Sequence, residues 1–288
     1  MKWRLAAVLF VFTRFAFADQ PIPVGSGRVE LTIGSKPLEV FTYKPADYDA
    51  KAGPLVLVFH GVLRNADTYR DAGKPLADVS RGLVVAPRFT VDEFPTAKYQ
   101  FGNLLTNGRA NPPEQWTWSL VPKIAEAIRR RENRPDMPYD LIGHSGGGQF
   151  LARLAAFAKT DARRIVASNA GSHTFVNRDL PFPYGFGKLP PDLSGDDALK
   201  QFLAQPLTLQ LGTADDHPDE YFDAKPDAMK QGGSRLERGR NAYKLAQSLA
   251  KEKSWPFHWT LVEAEGIEHD STKMFAHPSA KKALGWDK

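Results

Sequence analysis

The chain has 288 residues, 42% of them hydrophobic and 25% charged, with a formal net charge of +5 and no cysteine. That length and apolar content permit one large core or two smaller ones. The absence of cysteine excludes disulfides, thiol nucleophiles and thiolate metal sites.

At the N-terminus, Lys2 and Arg4 precede an apolar run over 5–12, and Ala16-Phe17-Ala18 offers a small-x-small cleavage site. This pattern predicts a secretory signal peptide over 1–18 and a periplasmic or secreted mature protein. Arg14 interrupts the run well short of the roughly 18 apolar residues that a spanning helix needs, so no stable membrane insertion is expected after cleavage. Losing the leader removes Lys2, Arg4 and Arg14 and lowers the formal charge from +5 to +2. With no aromatic-and-basic recognition motif, nothing then points to nucleic acid.

Residues 28–33 and 38–43, separated by Gly34-Ser35-Lys36-Pro37, read as an antiparallel hairpin in which Val29, Leu31 and Ile33 alternate. The run 54–59 is continuously apolar, as expected for a strand buried on both faces, and ends at His60-Gly61. Runs at 82–86, 164–167, 207–211 and 257–262 repeat the theme. Helix-like segments separate them, among them one with Leu120, Val121, Ile124 and Ile128 on a single face and another with Ala242, Leu245, Ala246, Leu249 and Ala250. The alternation predicts a mostly parallel central sheet with helices on both faces and an antiparallel N-terminal hairpin. No linker or internal repeat divides residues 19–288, which read as a single α/β domain.

Two stretches at about 90–113 and 172–205, rich in Pro, Gly and aromatic residues, break the pattern. They read either as lid-like insertions over a site or as loops pinned to the body by Phe94, Tyr99, Phe101, Phe182, Tyr184 and Phe186.

The most informative segment is LIGHSGGGQF, residues 141–150. It sets Ser145 in a G-x-S-x-G pattern between the run Tyr139-Asp140-Leu141-Ile142 and a stretch with Phe150, Leu154, Phe157 and Ala158 at helical spacing. Strand, tight turn and helix are the context of a nucleophile elbow, in which small neighbours let the serine hydroxyl project. The helix N-terminus just behind it turns backbone N–H groups toward a developing oxyanion.

A serine hydroxyl is a weak nucleophile near neutral pH and needs a base, which in turn needs an orienting acid. In a fold of this kind the order is Ser, acid, His. The strand 207–211 runs into Gly212-Thr213-Ala214-Asp215-Asp216, and the last strand runs into Gly266-Ile267-Glu268-His269-Asp270. Carboxyl ends of parallel strands converge, so these loops can meet Ser145. His269 is the predicted base. Asp215 is the predicted acid by analogy with the G-x-x-D turn, with Asp216 and Asp219 as competitors. The predicted oxyanion donors are the N–H groups of Gly146 and Val62. His60 and His144 sit in glycine turns and read as structural, and His173, His217, His258 and His277 occupy less suitable positions. A metal at Asp215, Asp216, His217, Asp219 and Glu220 is the weaker reading, so neither metal nor cofactor is expected.

In order, PLVLVFHG, LIGHSGGGQF, LQLGTADD and EGIEHD resemble the α/β-hydrolase superfamily over essentially the whole mature chain. Within it, FHGVLRNADTYRD followed by VVAPRF resembles bacterial exported esterases near the poly(3-hydroxybutyrate) depolymerases and feruloyl esterases. The resemblance implies an exported hydrolase of carboxylic esters, acting through an acyl-enzyme on a small or oligomeric ester. A serine nucleophile sets it apart from dehalogenases and epoxide hydrolases of the same fold. The alternatives are a serine peptidase or amidase, for which Arg235, Arg238 and Arg240 or the run Arg129 to Arg131 would be candidate anchors, and a non-catalytic binding protein. As plain structure, both basic runs read as solvated helix faces.

Overall fold

Alternation along the first two strands produces the expected hairpin. Strands β1 (Gly25–Ile33) and β2 (Lys36–Lys44) pair antiparallel, with Val29 opposite Val40 and Leu31 opposite Leu38. The computed structural model describes residues 20–34 and 36–287, so the predicted leader lies outside the described residues.

The chain continues through β3 (Leu55–Phe59), α1 (Ala66–Ala72), α2 (Lys74–Ser80) and β4 (Leu83–Pro87) to a short hairpin of β5 (Leu105–Thr106) and β6 (Arg109–Ala110). Then come α3 (Leu120–Arg131), β7 (Tyr139–His144), α4 (Gly146–Phe157), β8 (Ile165–Ser168), α5 (Pro191–Ser194), α6 (Asp196–Leu203) and β9 (Leu207–Gly212). The remainder is α7 (Pro226–Met229), α8 (Arg235–Lys253), β10 (Thr260–Ala264), α9 (Ser271–Ala276) and α10 (Ser279–Leu284). Eight strands form one sheet in the order β1-β2-β4-β3-β7-β8-β9-β10. Within this sheet, among the described residues, only the β1–β2 and β2–β4 pairs are antiparallel.

The unbroken apolar runs are explained by a sheet covered on both faces. Along β3, Leu55, Leu57 and Phe59 face the layer of α3, α4, α6 and α8, while Val56 and Val58 face the layer of α1, α2, α9 and α10. Burial of each such side chain is worth roughly 1.5–3 kcal/mol. No helix among the described residues is long and apolar enough to cross a membrane.

Three local expectations change. The last strand starts at Thr260 rather than at 257, because His258 N–H donates to Leu203 O and Trp259 Nε1–H to Phe202 O, tying that segment to the end of α6. Leu245 points to solvent on α8; of the predicted stripe, Ala242, Ala246 and Ala250 are buried and Leu249 is half-buried. The stretch 172–205 is partly helical, containing α5 and α6.

Both irregular segments are pinned to the body by their aromatic residues. Tyr99 packs with Phe89 and Phe150 in a three-ring cluster, its centroid 5.1 Å from each and theirs 5.8 Å apart, and its hydroxyl donates to His60 O. Phe182 and Phe186 pack on Phe157 of α4, and Phe101 meets Phe182 edge-on, joining the two segments. Gly102, at φ +64°, leaves room for Trp118, since a Cβ there would fall 2.1 Å from the indole.

Candidate active site

Ser145 stands between the end of β7 and the start of α4, with φ 57° and ψ −116°. A non-glycine residue there carries about 1–3 kcal/mol of strain, sustained only where the surroundings enforce it. The enforcement is visible. Ser145 N–H donates to Ser168 O, Ser145 O accepts from Gln149 N–H, and the elbow presses against β3. A Cβ on Gly143 would fall 2.6 Å from the Gly147 carbonyl, and one on Gly147 would fall 2.1 Å from Phe59 O. The flanking glycines of the motif are therefore required by contact.

The loop after β3 reaches the same place. His60 Nε2 accepts from Phe89 N–H, so its Nδ1 carries the hydrogen and donates to Gly61 O at 3.0 Å. Burial lowers the His60 pKa to about 4, leaving a neutral ring that shapes the turn. A Cβ built on Gly146 would lie 3.3 Å from the Val62 nitrogen, so the two predicted donor residues adjoin. The first N–H groups of α4 lack carbonyl partners within the helix.

The loops after β9 and β10 meet. His269 Nδ1 lies 2.8 Å from Asp215 Oδ2, the geometry of an Nδ1–H donating to a carboxylate oxygen. Asp215 is buried, whereas Asp216 turns outward with its side chain 66% exposed beside His217, and Asp219 pairs with Arg235. Of the three competing acids, Asp215 is the one that hydrogen-bonds the imidazole. Asn169, at the end of β8, braces both loops: its Oδ1 accepts from Gly212 N–H and its Nδ2 donates to Glu268 O.

Ser145, His269 and Val62 line one cleft of about 260 Å³. Its walls come from the loops after β3, β9 and β10, and the segments 90–113 and 172–205 supply none of its lining. Leu63 and Tyr221, 64% and 50% exposed, form apolar lips. Below them, the buried His144 ring lies against His269, and Tyr69 Oη is 3.3 Å from His144 Nδ1. Burial, followed by the nearby His269 and Arg235, holds the His144 pKa well below its ordinary value. The Tyr69 phenol is pushed up to about 12 by burial and stays protonated.

The basic run on α8 departs from the expectation of a solvated face. Arg235 and Arg238 are buried: the first joins Asp215 and Asp219, and the second donates to the carbonyls of Gly171, Asp223 and Gly232. Arg240 alone matches it, pairing with Glu263 at the surface. Of the second run, Arg129 pairs with Asp161 and Arg130 with Glu126, while Arg131 donates to the carbonyls of Gln20 and Glu30. Sequence reasoning missed Asn169 and Tyr69 as parts of the site, and weighed Arg235 as a substrate anchor or a solvated residue, not as a partner of Asp215. Only Tyr69, in the HGVLRNADTY segment next to the predicted donor Val62, offered a local signal.

The chain is similar to poly(aspartic acid) hydrolase-1 from Sphingomonas sp. KT-1, with 32% identity over 92% of this chain and 100% of that one, at a TM-score of 0.83. It is similar also to LpqC, a poly(3-hydroxybutyrate) depolymerase from Bordetella parapertussis, with 31% identity over 92% of this chain and 91% of that one, at a TM-score of 0.81. The siderophore hydrolase EstB from Aspergillus nidulans shares the fold alone, at 13% identity over 94% and 99% of the two chains and a TM-score of 0.55. No family model and no curated protein matches the chain. Fold, elbow and these two relatives above 30% identity agree that the chain belongs to the α/β-hydrolase superfamily and is a serine hydrolase of that fold.

Proposed function

We propose that the protein is an exported carboxylic ester hydrolase that works through Ser145, His269 and Asp215. The observation that carries this reading is the His269 Nδ1 to Asp215 contact of 2.8 Å, with His269 and Ser145 facing one cleft. In this scheme His269 Nε2 takes the proton of Ser145 as the hydroxyl attacks the ester carbonyl, and Asp215 stabilises the resulting imidazolium. The Val62 and Gly146 N–H groups receive the oxyanion, each worth about 3 kcal/mol in the transition state. The imidazolium then protonates the departing alcohol, and water activated by His269 releases the acid. The lips Leu63 and Tyr221 suit an ester with apolar carbon on either side of the scissile bond.

An amidase reading draws support from the similarity to a poly(aspartic acid) hydrolase. The rim of this cleft opposes a polyanion, however: the loop beside it carries Asp216, Asp219 and Glu220, and Glu268 precedes His269. A neutral ester or polyester fragment meets no such repulsion. Export rests on the leader pattern over 1–18, and N-terminal sequencing of the protein from separated cell fractions tests it.

The experiment for the catalytic reading is intact-mass labelling of the mature protein with a fluorophosphonate, followed by turnover on matched ester and amide substrates. One adduct that Ser145→Ala abolishes, with ester turnover, is the expected result. A folded protein that takes no label and turns over neither substrate would instead be a binding protein on a hydrolase fold.

A further inference from the structure

Arg235 begins α8, and its guanidinium is buried between two carboxylates. Nη1 lies 3.2 Å from Asp215 Oδ1 and Nη2 lies 2.5 Å from Asp219 Oδ1. The Arg235 and Asp215 side chains are each only 2% exposed, while Asp219 belongs to the cleft wall. The two oxygens of Asp215 are thus divided, one facing an arginine and the other His269.

The sequence fixes the arginine there. Ser234 Oγ accepts from Glu237 N–H, and Glu237 Oε2 accepts from Gly233 N–H, so a reciprocal cap sets where α8 starts. Leu236 N–H donates to Asp215 O, so the same turn of helix holds the aspartate's backbone. Phe222 covers the guanidinium, its ring centre 5.6 Å from Arg235 Cζ.

We propose that Arg235 is a positioning residue for the reaction: it holds one oxygen of the buried Asp215, turns the other toward His269 and fastens the Asp219 wall of the cleft to the same point. The proposal rests on the reading of Ser145, His269 and Asp215 as the reacting group. A carboxylate withdrawn from water shifts toward its neutral form unless a cation or N–H donors hold the charge. The Arg235 guanidinium is the cation placed 3.2 Å from Oδ1 of Asp215. The charged and titratable groups around it are His269 after β10, Arg235 and the neighbouring Arg238 on α8, Asp216 and Asp219 on its own loop, and His144 behind His269. Among these, Arg235 and His269 are the side chains that hydrogen-bond the Asp215 carboxylate.

The test compares Arg235→Met, Arg235→Gln and Arg235→Lys, with Arg240→Met, on the same helix but at the surface, as the control. Fluorophosphonate labelling of the wild type comes first. Arg235→Met is expected to lower kcat about 100-fold, to leave KM within about threefold, and to move the acid limb of kcat/KM upward by about one pH unit. Arg235→Lys should return that limb to its wild-type place while recovering part of kcat. Arg235→Gln keeps N–H donors without charge, and should move the limb as Met does even if the Met variant fails to fold. Arg240→Met should match the wild type. A folded Gln variant with an unmoved limb overturns the proposal, as does an equal loss in Gln and Lys variants with neither limb moved, which would leave packing alone. An unlabelled, inactive wild type removes the catalytic reading, and the role of Arg235 falls with it.

Discussion

The imidazole of His144 lies against that of His269, with ring centroids 4.5 Å apart and planes inclined by 41°. Because burial keeps His144 neutral, it backs the proposed base without adding a like charge when that base takes up a proton. His144→Ala should therefore lower kcat about tenfold through loss of packing. The acid limb of the pH profile should keep its wild-type position, because His144 exchanges no proton in the reaction. Steady-state kinetics across pH check both; a limb that moves with the substitution would make His144 a titrating partner.

Three buried histidines, His60, His144 and His173, have depressed pKa values, with His60 at about 4 and His173 at about 3. In the unfolded chain each takes a proton below about pH 6.5, whereas in the folded chain each stays neutral until its own lower value is reached. Stability is thus fully present above about pH 6.5 and is lost as the pH falls toward 4, at about 1.4 kcal/mol per pH unit for each histidine. Denaturant titrations between pH 7 and 4.5 should show this slope, and His173→Gln should reduce it by about a third. A slope identical to the wild type would remove His173 from the account.

Gly147 in the elbow and Gly233 before α8 differ sharply in what a Cβ would meet. A Cβ on Gly147 would meet the Phe59 carbonyl at 2.1 Å, backbone against backbone, so Gly147→Ala should cost more than about 3 kcal/mol or prevent folding. At Gly233 the nearest atom would be 3.5 Å away, the end of a glutamate, so Gly233→Ala should stay within about 1 kcal/mol. Urea midpoints of the two variants decide the contrast.

Ser145→Ala and His269→Ala should each reduce turnover about 10⁶-fold, and Asp215→Asn about 10⁴-fold. Asp216→Asn should remain active, since that side chain is 66% exposed and turned toward His217. If Asp216→Asn were the damaging change and Asp215→Asn were tolerated, the acid assignment would be reversed.

Much of this was legible because it is local. The run 54–59 carries its own burial signal, and the elbow is a five-residue pattern whose glycines answer contacts with Phe59 and within the turn. What stayed illegible depends on distant chain. Asp215 and Asp216 are neighbours just past one strand, and only the turn decides which faces His269. Arg235 sits in a run of basic and polar residues that looks solvated, and it is buried because the loop around Phe222 folds over it. The start of β10 was misplaced for the same reason: the end of α6 claims His258 and Trp259.

The Asn169 brace also bears on when function arises during synthesis. One amide grips Gly212 and Glu268, and the base lies on the final strand-to-helix turn. A nascent chain carries its nucleophile long before it carries the base, and the brace closes only once β10 has docked beside β9. Regain of turnover during refolding should therefore report the last docking event, lagging behind regain of helical signal.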